Sequence, residues 1–162
     1  MNKFFSLLLV LVPLCASGHS LTTDTPFANG LSHFRDGDFQ TAYEEWSEGA
    51  EQADSGAQFG LGLMYYSGQG VEQDFAEAYE WMLTAAKNGN FNAQNNLGVM
   101  YLQGQGIEKD LVRAFAWYSV AAAQGQKDAQ TNVDILSEQL SPAQRAESDT
   151  LIASLKEKYV VW

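Results

Sequence analysis

Apolar and polar positions follow the same rhythm in two stretches of the chain. Leu61 and Tyr65 with their neighbours, then Leu97 and Tyr101 with theirs, recur at three- and four-residue spacing. That spacing predicts a helix with one apolar stripe. A second stripe follows each: Ala78, Trp81, Met82, Ala85 and Ala86, then Ala114, Trp117, Tyr118, Ala121 and Ala122. Between the paired stripes the chain reads GQGV at 68–71 and GQGI at 104–107. The pattern predicts two helices per unit, joined by a glycine turn.

A shift of 36 residues, the separation of Ala57 from Ala93, superposes residues 57–90 on 93–126. The recurring positions are Leu61/Leu97, Gly62/Gly98, Tyr65/Tyr101, Gly68/Gly104, Gly70/Gly106, Asp74/Asp110, Ala78/Ala114 and Trp81/Trp117. Asp38, Phe39, Ala42 and Ala50 fall in the same phase earlier in the chain, and Ala129 and Gln130 restart it later. A helical hairpin cannot bury its apolar face alone, so a period of this length predicts stacked hairpins with special end units. The expectation is all-α: a right-handed α-α superhelix of about three hairpins plus a C-terminal capping helix. Repeats are expected over about 28–56, 57–92 and 93–128, with a degenerate unit at 129–140. Residues 19–27 read as a linker and 141–162 as the capping helix and tail.

Local signals agree. Asp74 is placed as an N-cap, with Glu77 three residues on to close a capping box, and Asp110 caps the equivalent helix. Gly89 and Gly125 follow the last helical residues, where a left-handed position favours glycine. Ser141-Pro142 starts a helix, with proline at the first helical position. Gly62 and Gly98 lie inside helices at a cost of about 1 kcal/mol against alanine. Close approach of a partner helix, through the small residues Ala78 and Ala114, would compensate. Trp46, Trp81 and Trp117 recur with the units and read as core.

Charge narrows the partners. The chain has 162 residues, 20 acids and 9 bases, for a net charge of -11. Such a surface repels a phosphate backbone and disfavours nucleic acid. Between Arg35 and Lys87 stand eleven Asp or Glu and no Lys or Arg. That run is either a solvated face or a dock for a basic partner. At the N-terminus, Lys3 precedes the apolar run of residues 4–14, too short for a membrane-spanning helix. Ala16 and Gly18 suit a signal peptidase, so residues 1–18 read as a signal peptide cleaved near Gly18. Cys15 offers a lipoprotein anchor as the less favoured alternative, because that processing wants a small residue where the large, branched Leu14 stands. Export to the periplasm or medium is expected, with no cysteine in the mature chain and contact with a membrane only through an envelope partner.

These residues resemble the Sel1-like repeat family, a relative of the tetratricopeptide repeat. The family pattern is met at Ala57, Leu61-Gly62, Tyr65, Gly68-Gln69-Gly70-Val71, Asp74, Ala78, Trp81, Ala85-Ala86 and Gly89, and again one period on. The resemblance covers about residues 28–136. It implies an adaptor without chemistry of its own, binding a protein or peptide in a concave groove lined by the first helix of each unit. The groove positions would be Phe59, Leu63, Tyr66, Asn95, Asn96, Val99, Leu102, Thr131, Asn132 and Ile135. Asn95 and Asn96 would grip a peptide backbone or lie in solvent; Leu63 and Val99 would line the groove or pack on adjacent helices. A regulatory subunit of an envelope enzyme or sensor kinase is the alternative. Cysteine-rich family members are linked to β-lactam binding or hydrolysis, but this chain lacks their paired cysteines.

The sequence offers no catalytic constellation. A dinucleotide fingerprint needs a third glycine where Gln73 and Lys109 stand, and a strand before it. His19 and His33 are the only histidines, too few with no mature cysteine for a zinc site. Asp36-Gly37-Asp38 reads as a turn plus N-cap rather than a calcium loop. No cofactor and no metal are expected.

Overall fold

The computed structural model describes residues 25–159. The expected signal peptide, Cys15, His19 and residues 160–162 lie outside the described residues. Within them run eight helices: α1 (Pro26–Arg35), α2 (Phe39–Glu51), α3 (Ser55–Ser67), α4 (Phe75–Lys87), α5 (Phe91–Gln103), α6 (Leu111–Ala123), α7 (Lys127–Ser137) and α8 (Pro142–Tyr159). The first three consecutive pairs are hairpins, and each second helix also packs on the first helix of the next unit. This is the right-handed superhelix that the period predicts.

Capping fixes the boundaries. Asp38, Asp74 and Asp110 cap the second helices, and Asp54, Asn90 and Gln126 cap the first helices at the same period. The capping box expected at Asp74 does not close. The Asp74 N–H donates instead to the Tyr65 carbonyl at 3.0 Å, and the Asp110 N–H to Tyr101 at 2.9 Å. That backbone bond takes the donor a capping box would use, and Arg113 at the equivalent position instead lies 3.5 Å from the Asp110 carboxylate. The reciprocal box forms at the start of α8. Ser141 Oγ accepts from the Gln144 N–H, and the Ser141 N–H donates to Gln144 Oε1.

Helix ends show one irregularity. Gly89 and Gly125 adopt φ of +85° and +89°, as a left-handed terminus requires. Ala53 occupies the same place after α2 with φ +60°, a conformation that costs an L-residue about 1 kcal/mol. Ala53→Gly is therefore expected to stabilise the fold by about 0.5–1 kcal/mol, read as a higher urea midpoint at unchanged slope. An unchanged or lowered midpoint contradicts this.

The core is continuous along the stack. Ala78, Ala85, Ala93, Leu97, Ala114, Ala116 and Val120 are fully enclosed, and a second cluster gathers around Trp46 in the first unit. Trp117 is buried, whereas Trp81 is only half-buried. The difference is the Tyr159 ring of α8, which stacks on Trp117 at 6.4 Å and has no counterpart over α4.

The interior helical glycines are close-approach positions, but not against Ala78 and Ala114. A Cβ on Gly98 would lie 2.5 Å from the Tyr118 ring, and one on Gly62 would lie 3.0 Å from the end of Met82. The partner residue stands one turn further along the neighbouring helix. A ring cannot retreat as a thioether can, so Gly98 is the stricter of the pair.

Candidate functional site

The first helices, α1, α3, α5 and α7, make one layer of the stack, and the second helices make the other. The ten expected groove residues separate into three groups. Phe59 is in the core, tilted against the Phe27 ring. Leu63, Tyr66, Val99 and Leu102 are half-buried and pack against the main cluster. Asn95, Asn96, Thr131, Asn132 and Ile135 reach the surface. Ile135 is 54% exposed, an unusual cost for a large aliphatic side chain.

The asparagines are not equivalent. Asn132 Nδ2 donates to Asn95 Oδ1 at 3.3 Å, tying α7 to α5 across the layer. The pair leaves the Asn95 amide hydrogens and the Asn132 carbonyl oxygen open for a backbone. Asn96 turns back on its own helix and donates to the Asn92 carbonyl. Asn95 and Asn132 thus join α5 to α7, with exposed Thr131 next to Asn132 and Ile135 one turn on.

Tyr66 plays a joining role. Its hydroxyl donates to Gln105 Oε1 at 2.8 Å, and its ring meets the edge of Phe75. The middle residue of the second GQG is therefore a latch between repeats, while Gln69 in the first copy is exposed. Gln105→Ala is expected to cost about 1 kcal/mol and Gln69→Ala close to nothing, measured by denaturant unfolding. Equal losses would remove the latch.

Sequence reasoning missed a buried amide relay. Gln94 Nε2 donates to the Ala86 carbonyl near the end of α4, and Gln94 Oε1 accepts from the Gln124 amide at the end of α6. One unit earlier, Gln58 reaches the Ala50 carbonyl and accepts from Asn88. Gln58 and Gln94 lie one period apart, and a glutamine repeated inside an apolar stripe was the available signal. The third member, Gln130, is exposed and turns to Asp134 instead.

Among the described residues no group of three or more His, Cys, Asp or Glu could hold a metal ion. His33 lies 3.5 Å from Asp38, whose carboxyl is held below its usual range by its hydrogen bonds to Thr41. The perturbed phenols are structural. Tyr43 beside Tyr65 pushes it up to about 12, and burial pushes Tyr118 up to about 12. Burial, then the Tyr101 hydroxyl at 2.8 Å, raises Tyr79 further. Each shift favours the neutral phenol, the reverse of what an activated nucleophile needs.

The acids of the first half face outward. Asp38, Asp54 and Asp74 are spent on caps, while Glu44, Glu48, Glu51, Glu77 and Glu80 are exposed on α2 and α4. None of these five forms an ion pair among the described residues.

The Sel1 repeat family model matches residues 55–90 and 92–126, the two units whose hairpins and turns are described above. The chain is a Sel1-repeat protein. Among solved structures, it is similar to a protective antigen present in uropathogenic Escherichia coli strains that displays an SLR fold. The two superpose with a TM-score of 0.79 at 31% identity, over 83% of this chain and 30% of that one. A Sel1 repeat protein from Oxalobacter formigenes gives a TM-score of 0.62 at 33% identity, over 66% of this chain and 43% of that one. This Sel1-repeat chain spans less than half the length of either. No curated protein matches its sequence. Sel1 repeats are generally scaffolds for protein–protein interaction, and proteins of this fold are typically non-catalytic.

Proposed function

We propose that this Sel1-repeat chain is a non-catalytic adaptor of the bacterial envelope, exported by its N-terminal segment, that holds a protein or peptide on its inner face. The observation that carries the reading is the amide pair of Asn95 and Asn132 between α5 and α7, with the exposed Ile135 one turn beyond Asn132. Amides with open donors and acceptors suit the backbone of an extended segment, and Ile135 supplies apolar anchoring area. Export follows from the apolar run at residues 4–14 and the small residues after it. A photo-cross-linking residue at Thr131, exposed beside Asn132, is expected in intact cells to capture a partner, whereas the same residue at Thr84 on α4 captures none. Ile135→Arg should abolish capture with helicity unchanged, because the side chain is not in the core. Capture from Thr84 alone would sink the reading.

The outward glutamates favour a second reading, in which a basic surface docks on α2 and α4. Charge reversal at Glu44, Glu45, Glu48 and Glu51 then weakens binding in a salt-dependent way. If reversal leaves binding intact, those charges only keep the chain soluble.

A further inference from the structure

Among the described residues two large apolar side chains stand exposed, Phe91 at 43% and Ile135 at 54%. Neither belongs to either apolar cluster. Phe91 opens α5, and the same position one period away holds Ser55 in α3 and Lys127 in α7. Stacking therefore does not require an aromatic ring there. Leu63 and Val99, the counterparts of Ile135, are half-buried against the main cluster, so Ile135 is the member of that series left bare. A single apolar residue on a surface is ordinary, but these two flank one polar feature.

That feature is the amide pair of Asn95 and Asn132, bonded at 3.3 Å between α5 and α7. The bond brings the two helices level at these residues, and as equivalent members of successive units they run the same way. Phe91 lies one turn before Asn95, and Ile135 one turn after Asn132. At roughly 100° per residue, each points within about 60° of its asparagine around the helix. Along the axes Phe91 stands about 6 Å to one side of the pair and Ile135 about 4.5 Å to the other. With axes about 10 Å apart, the two apolar groups are about 14 Å from each other, and the amides lie between them.

We propose that the surface where Phe91 and Ile135 flank the Asn95–Asn132 pair binds an extended, net basic segment of another protein, one that carries two apolar side chains four positions apart. This deepens the adaptor reading above and rests on it. An extended chain advances about 3.3 Å per residue and sends alternate side chains to one side. Residues four apart are then about 13 Å from each other on the same side, which matches the two anchors. The backbone between them lies over the amides. The Asn95 amide hydrogens and the Asn132 carbonyl oxygen are free of other bonds among the described residues, and they complement the C=O and N–H of an extended residue. A helix does not suit the site, because its own backbone groups are already paired. Charge selects further: α5 has no charged residue, α7 carries Asp128 and Asp134 against Lys127, and the chain has a net charge of -11. A net basic segment is therefore favoured.

The test selects binders to the purified full chain from a displayed library of short random peptides. The selected sequences are expected to share two apolar residues four positions apart and a surplus of Lys or Arg. A synthetic copy of one is then titrated by fluorescence anisotropy. Phe91→Ser, which restores the residue type of α3, and Ile135→Ser should each weaken its binding about tenfold or more, with the unfolding midpoint unchanged. Methylating the peptide's backbone nitrogens one at a time between the anchors should find one position that weakens binding to the native chain but not to Asn132→Ala. Peptides that bind without that spacing, or that bind Phe91→Ser as tightly as the native chain, overturn the two-anchor proposal, and the adaptor reading stands if capture at Thr131 persists. A library that yields no binder also overturns the proposal, and loss of the Thr131 capture would take the adaptor reading with it.

Discussion

Gly106→Ala is expected to destabilise the chain by about 3 kcal/mol or more, whereas Gly104→Ala costs about 1 kcal/mol. Both glycines have positive φ, +73° at Gly104 and +71° at Gly106, so each alanine meets the same backbone strain. Their surroundings differ. A Cβ at Gly104 finds nothing nearer than 3.4 Å, but one at Gly106 would fall 2.0 Å from the Phe75 carbonyl oxygen. Backbone cannot swing aside as a side chain does, so α4 and the turn must separate. The second glycine of each pair thus seats the turn on the first residue of the preceding unit's second helix. Gly70 does the same against Phe39, with the more yielding Met64 beside it. Urea unfolding followed by circular dichroism decides the matter. Equal losses for the two alanines would mean that the glycines serve only the turn and not the joint.

Trp46→Ala is the second large effect, expected at about 3–5 kcal/mol. The indole is fully enclosed, and its Nε1 donates to the Phe27 carbonyl at 3.2 Å. Two glycines make the slot: a Cβ on either Gly30 or Gly60 would come within 2.3 Å of the ring. Phe27 and Phe34 complete it, with ring centres 6.3 and 5.4 Å away. Removing the indole leaves a cavity among α1, α2 and α3, because residues of all three pack on the ring. Gly60→Ala should also destabilise by overpacking, and the double variant should cost less than the sum of the two. A loss below about 1 kcal/mol for Trp46→Ala, or strict additivity in the pair, would contradict the slot.

The repeat was legible because stacking demands the same small residue at the same place in each unit. Leu61, Gly62, Asp74 and their partners one period on are dictated by packing and by caps, and both leave residue-level marks. The joints were less legible. Gln69 and Gln105 are identical in sequence context, yet only Gln105 meets a tyrosine, because the residue one period before Tyr66 is Gly30. The relay through Gln58 and Gln94 looked like an accident within an apolar stripe, since its partners lie 30 residues on and its targets are main-chain carbonyls. The inner-face positions were read by counting along a helix, which cannot tell a side chain on the groove from one turned to its neighbour. Phe59 and Tyr66 are such cases.

The relay has a consequence for how the array comes apart. Gln94 holds the last turn of one repeat with its nitrogen and the last turn of the next with its oxygen, so freeing either repeat strands a buried amide. The interfaces around Gln58 and Gln94 therefore act as rivets in a one-dimensional array and join three hairpins into a single melting unit. Gln130, turned outward to Asp134, is a rivet never driven. Under heat or mechanical pull the array frays from its C-terminal end, and the three riveted hairpins yield together or not at all.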